Sequence, residues 1–170
     1  PQDFDGIIPA LNAKKFDAVI ASMNITEERK KAVDFSDKYY NMASRLVAKQ
    51  GTQVNAAWFK GKKIGVLRSS IQEKYARDTF AKQGAQLVSY GKAPESFMDL
   101  KAGRVDAAFV DAAVGDTDFI KTPNGKGFAL VGPDYNEAKY FGVGSGIAVR
   151  KGDKALLARI NGALKQIRAD

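Results

Sequence analysis

The chain has no cysteine and no histidine in its 170 residues. The first absence excludes a disulfide scaffold and any thiolate chemistry, and it fits reducing and oxidising compartments alike. The second removes the commonest general base and the commonest metal ligand, so an enzyme built on this chain is left with carboxylate, lysine or serine chemistry. Nothing in the residues calls for a metal or a cofactor. A run of about eighteen apolar residues, the length that spans a bilayer, is also lacking. The longest apolar stretches are pieces such as Ala18-Val19-Ile20-Ala21. There is no internal repeat, low-complexity tract or proline-rich linker. The first residues, Pro1-Gln2-Asp3-Phe4-Asp5, have no basic start followed by an apolar stretch. If the protein is exported, a full-length precursor is expected to carry the signal peptide.

What is present is the composition of a folded protein: 45% hydrophobic and 10% aromatic residues. The formal charge is +8, which raises the question of an anionic partner. Lys14-Lys15, Arg29-Lys30-Lys31 and Lys60 with Lys62-Lys63 are short clusters far apart in sequence, with no interleaved aromatic platform. They read as a solvated surface, and no nucleic-acid partner is expected.

Short β-branched runs alternate with helical segments, the pattern of parallel α/β structure. In a first group, Ile7, Ile8 and Leu11 have helical spacing within 7–12, residues 17–21 read as a buried strand, and Thr26 caps a short helix with Glu27 and Glu28 in its first turn. Residues 44–48 read as an extended crossing segment. A second group runs strand 64–67, helix 70–81, strand 86–90, helix 95–102, strand 106–110, a helix, and strand 128–131, which is βαβ three times over. Strand 147–150 breaks that pattern and is expected to rejoin the first group. A final helix from Asp153 carries the apolar stripe Leu156, Leu157, Ile160, Leu164 and Ile167. The reading is a two-lobed α/β chain with one lobe at 1–43 and 136–170, the other at 44–135, and crossings near 41–44 and 136–142 that form a hinge.

Gly142-Val143-Gly144-Ser145-Gly146 lacks the GxGxxG spacing of a dinucleotide loop and leads into a strand, so it is read as a glycine-rich turn. The remaining polar groups gather at strand ends, where open α/β sheets bind ligands. Ser22 and Asn24 follow one strand, and Arg29 lies one helical turn further on. Ser69 and Ser70 precede a helix whose free N–H groups favour an anion, and Asp111 directly follows a strand. Each has a plain structural alternative: Arg29 as a surface ion pair with Glu28 or Asp34, Ser70 and Asp111 as helix caps. Taken together, a forked cation and helix N–H groups facing a carboxylate across a cleft suit an α-amino acid zwitterion.

The series Asp5-Gly6-Ile7-Ile8-Pro9-Ala10-Leu11, Lys15-Phe16-Asp17-Ala18-Val19-Ile20, Ile25-Thr26-Glu27-Glu28-Arg29 and Asp34-Phe35-Ser36-Asp37-Lys38-Tyr39-Tyr40 resembles the periplasmic polar amino-acid-binding proteins of ABC importers, solute-binding protein family 3. The likeness continues through Gly65-Val66-Leu67, Gln72-Glu73, residues 102–108, Gly132-Pro133 and Tyr140-Phe141-Gly142. It is strongest to the lysine/arginine/ornithine and histidine binders. It implies the type II periplasmic-binding-protein (Venus-flytrap) fold, a periplasmic location and no enzymatic activity. The implied function is capture of a cationic L-amino acid, arginine, lysine, ornithine or histidine, for delivery to an ABC-type permease in the inner membrane. By the same resemblance Arg29 clamps the ligand carboxylate with Asn24 and the Ile71 backbone, and Asp111 takes the α-ammonium. Phe4 packs on the alkyl stem, Ser22 and Ser70 lie nearby, and Leu67 and Gln72 line the second lobe.

The chain departs from that family at Ala21 and Asn24, where relatives often have serines, and at Ile71, where they have a threonine. Losing one hydroxyl hydrogen bond costs about 0.5 to 1.5 kcal/mol, an adjustment of affinity. Family members also begin with a strand and helix that read the ligand side chain, and end with a further helix. Without them the first lobe is expected to be incomplete, or to be completed by another chain. A dehydratase on the same clamp and a sensory module are the alternative functions, since the fold alone does not fix function.

Overall fold

The structure is a computed structural model and describes residues 3–40 and 43–169, so part of the crossing expected near 41–44 lies outside the described residues. The chain divides into two compact units: residues 6–40 with 137–169, and residues 43–136 with Asp3–Asp5.

The smaller unit opens with helix α1 (Ile7–Asn12), which buries Ala10 and Leu11. Strand β1 (Ala18–Val19) is shorter than the expected 17–21. Ile20 is 70% exposed and Ser22 turns the backbone to φ +50°, so pairing stops after Val19. Helix α2 (Glu27–Lys30) starts as its sequence predicts, with the Arg29 backbone N–H donating to Thr26 Oγ1 at 3.2 Å. Strand β2 (Val33–Phe35) follows.

In the larger unit come strands β3 (Ser44–Lys49) and β4 (Lys63–Leu67), helix α3 (Ile71–Asp78), strand β5 (Gln86–Tyr90), helix α4 (Ala93–Lys101) and strand β6 (Ala107–Asp111). Helix α5 (Ala112–Gly115) runs on as a π-helical turn, Asp116–Ile120, and strand β7 (Phe128–Tyr135) ends the unit. The α4 helix begins two residues before Glu95 because the Glu95 carboxylate accepts from the Lys92 backbone N–H at 3.2 Å and Pro94 sits in the first turn.

The five-stranded order is β5-β4-β6-β3-β7. β4 is parallel to β5 and β6, as the βαβ pattern predicts, but β3 is antiparallel to both β6 and β7. The stretch expected to be a crossing segment is therefore an inner strand of a mixed sheet. Leu46, Val47 and Ala48 are buried in succession, which an inner strand covered on both faces requires.

Successive residues of β6 feed two separate cores. Ala108 and Val110 join Val47, Phe97, Leu100, Val105 and Phe119 on the α4 side. Phe109 points the other way into a ring cluster with Tyr75, Phe80 and Tyr135, with centroids 5.0 to 5.8 Å apart around Phe109. Residues of odd number on β6 thus face α3.

The chain returns to the smaller unit through helix α6 (Ala138–Phe141), strand β8 (Ala148–Arg150) and helix α7 (Lys154–Ala169). β8 is the central strand of a three-stranded antiparallel sheet, β1-β8-β2, with Val149 opposite both Ala18 and Asp34. Among the described residues, no helix is long and apolar enough to cross a membrane.

Candidate functional site

In the smaller unit Ser22, Asn24 and Arg29 are brought together by the segment after β1. That segment is fixed by the glycine-rich stretch: Ile25 N–H donates to Gly144 O at 2.8 Å, Gly146 N–H to Met23 O at 3.1 Å, and Ser145 N–H to Tyr40 O at 2.8 Å. The stretch turns at Gly142-Val143, as read from the sequence, and from Gly144 on is laced into its neighbours on the way to β8. Asn24 is buried and its amide donates to Phe141 O at 2.9 Å. Ser22 is held by Tyr39, whose hydroxyl accepts from the Ser22 N–H at 3.2 Å, and by Ser145, whose hydroxyl donates to Ser22 O at 3.2 Å. Neither Tyr39 nor Ser145 was a sequence candidate, because their partners lie far off along the chain.

Arg29 is partly buried, and its Nη1 donates to the Asn24 carbonyl at 3.1 Å. Burial pulls its guanidinium down to about 10, with the nearby Glu28 opposing that shift. The bond to a backbone carbonyl helps to fix the fork.

In the larger unit Leu67 ends β4 and Ser70 caps α3, its Oγ accepting from the Glu73 N–H at 3.1 Å. Ser69, between them, has φ +59° and gives its N–H to Glu73 Oε2 at 2.9 Å. Ser70, Ile71, Gln72 and Asp111 are all buried. Asp111 is the last residue of β6 and caps α5, with Oδ1 accepting from the Ala113 N–H at 3.0 Å. The capping readings of Ser70 and Asp111 are therefore correct as far as they go, and a carboxylate with two oxygens can cap and bind at once. Sequence reasoning missed Ser44, which is the cross-strand partner of Asp111 and accepts from Gln72 Nε2 at 2.9 Å.

Phe4 also groups with the larger unit. Its N–H donates to Gly91 O at 3.2 Å, between the ion pairs Asp3–Lys92 at 2.8 Å and Asp5–Arg68 at 3.8 Å. The Lys92 ammonium, hydrogen-bonded to Asp3, holds that carboxyl below its usual range. The candidates thus form two sets, one in each unit: three polar residues ending on a cation, and a buried polar group ending on a carboxylate.

Strand order and helix starts are those of a two-unit α/β fold with one polar set in each unit. The chain belongs to the bacterial extracellular solute-binding proteins, family 3, whose family model matches residues 1–170. It is 49% identical over 171 residues to the L-arginine-binding protein of Pseudomonas aeruginosa, covering 99% of this chain and 66% of that protein. It is 44% identical over 170 residues to the lysine/arginine/ornithine-binding periplasmic protein of Escherichia coli, covering 99% of this chain and 65% of that one. Among solved structures, a Salmonella typhimurium periplasmic binding protein described for high arginine specificity superposes with a TM-score of 0.87 at 36% identity. That match covers 99% of this chain and 74% of the other. The fold is that of the type II periplasmic amino-acid-binding proteins, and the chain spans slightly less than two thirds of the length of the curated relatives named here.

Proposed function

We propose that this chain is the zwitterion-binding part of an extracytoplasmic solute-binding protein that captures a cationic L-amino acid in the periplasm and delivers it to an ABC-type permease. In this proposal its two units, residues 6–40 with 137–169 and residues 43–136 with Asp3–Asp5, act as lobes that close on the ligand as a hinge. The observation that carries the reading is the Arg29 guanidinium, partly stripped of water and held in a fixed orientation on Asn24 O at 3.1 Å. Such a fork is set up for a bidentate carboxylate, whose negative charge restores what burial removed.

In this reading Arg29, Asn24 and the Ile71 backbone hold the ligand carboxylate, and Asp111 holds its ammonium. Phe4, Ser22, Ser70, Leu67 and Gln72 surround the stem. The names of the two curated relatives favour arginine, lysine or ornithine as cargo. Calorimetric titration of the full natural polypeptide with L-arginine tests the assignment. Arg29→Ala is expected to weaken binding by about 2 to 5 kcal/mol, because a desolvated carboxylate loses its partner. Unchanged affinity would remove Arg29 from the site.

A further inference from the structure

Ser44 is 3% exposed and sits at the start of a strand whose next inward residues, Leu46 and Ala48, are apolar. A hydroxyl buried at such a position is unfavourable unless it is hydrogen-bonded, and packing alone would select alanine. Its partner is Gln72, 9% exposed, whose Nε2 donates to Ser44 Oγ at 2.9 Å. The same serine lies directly across the ladder from Asp111.

The type of pair matters. Ala112 N–H donates to Ala43 O at 3.0 Å, so the hydrogen bonds flank Ser44 and Asp111, which form a non-hydrogen-bonded pair. In that kind of pair the two side chains stand on one face at the closest cross-strand approach. The face is the one that meets α3, because Leu46 and Phe109 are the next pair along it and Phe109 packs on Tyr75. A register shift between Ser44 and Leu46 on the β7 side sets Ser44 apart from the regular strand.

We propose that Ser44 is a positioning residue of the binding site, fixing the Gln72 carboxamide next to Asp111 so that both present acceptor oxygens to a cationic ligand. With Nε2 committed to Ser44, the planar carboxamide turns its Oε1 the other way. Oε1 and the Asp111 carboxylate are both acceptors, a combination that suits ammonium or guanidinium donors and disfavours an acidic side chain. Without Ser44 the carboxamide can rotate and offer its NH₂ instead. This inference rests on the amino-acid-binding function proposed above.

A double-mutant cycle on the full natural polypeptide separates the two. L-arginine is titrated into the unsubstituted protein, Ser44→Ala, Gln72→Ala and the double variant, and each ligand-free form is melted. Ser44→Ala is expected to weaken binding roughly three- to tenfold, the range of one lost hydrogen bond, and also to lower the melting temperature because the buried Gln72 amide loses its partner. In the Gln72→Ala background the same substitution is expected to do nothing further, because the group it orients is gone. A merely structural serine would shift the melt and leave arginine affinity unchanged, or give additive losses in the cycle. Additive losses, or an affinity unchanged in Ser44→Ala while the unsubstituted protein binds arginine, would overturn the positioning role alone. Absence of arginine binding by the unsubstituted protein would overturn the parent function and this role with it.

Discussion

Ser22 and Ser69 are non-glycine residues held at φ +50° and +59°, and each follows a strand that leads into the candidate site. A left-handed serine is disfavoured by about 1 to 2 kcal/mol, so the surrounding bonds must hold it there. For Ser22 those bonds come from Tyr39 and Ser145. Ser22→Gly relieves the backbone and loses only a small side chain. Chemical denaturation of the ligand-free protein should show stability equal to the parent or higher by up to about 1 kcal/mol, since the entropy of glycine offsets part of the relief. Arginine affinity should fall in the same variant if the hydroxyl lies against the ligand. A clear loss of stability would mean that Ser22 is not strained. Thr26, Glu27 and Glu28 announced the start of α2, and with it the position of Arg29, because capping is local chemistry. The left-handed conformation of Ser22 was silent in the sequence, because it is imposed by residues more than fifteen positions away.

The glycine-rich stretch acts as a cross-piece, pairing with residues 23–25 on one side and 39–40 on the other. Gly142 has φ +66°, and a Cβ there would lie 2.0 Å from Ile25 O, a backbone atom that cannot swing aside. Gly142→Ala should therefore destabilise the protein by about 3 kcal/mol or more, from strain and overlap together. It should also weaken arginine binding, since Phe141 O anchors Asn24 and Asn24 O anchors Arg29. Denaturant unfolding of the variant checks this, and stability within 1 kcal/mol of the parent, a surface-like effect, would contradict it. The stretch was legible as a non-nucleotide turn from its spacing, but its partners were not. β3 shows the same limit: its apolar run identified an extended segment, while insertion between β6 and β7 is decided by pairing with residues 59 or more positions away. The apolar stripe on α7 is present as read, yet Leu156, Leu157, Ile160 and Leu164 are only half-buried and Ile167 is 71% exposed.

For the whole molecule, the fold was legible because alternation of strands and helices is a repeated local signal that constrains topology strongly. The polar sets were legible only as residue types at strand ends, and the family series made them a candidate site. The hydrogen bonds that orient them, Gln72 to Ser44 and Asn24 to Phe141, required coordinates. The central claim is that one ligand carries both a carboxylate for Arg29 and an ammonium for Asp111. It is tested most directly by titrating the full natural polypeptide with L-arginine, with decarboxylated arginine and with Nα-acetyl-L-arginine. L-arginine should bind, and each analogue, lacking one of the two charges, should bind at least about thirtyfold more weakly, the loss expected when a buried charged partner is left alone. Binding of either analogue as tightly as L-arginine would contradict the account.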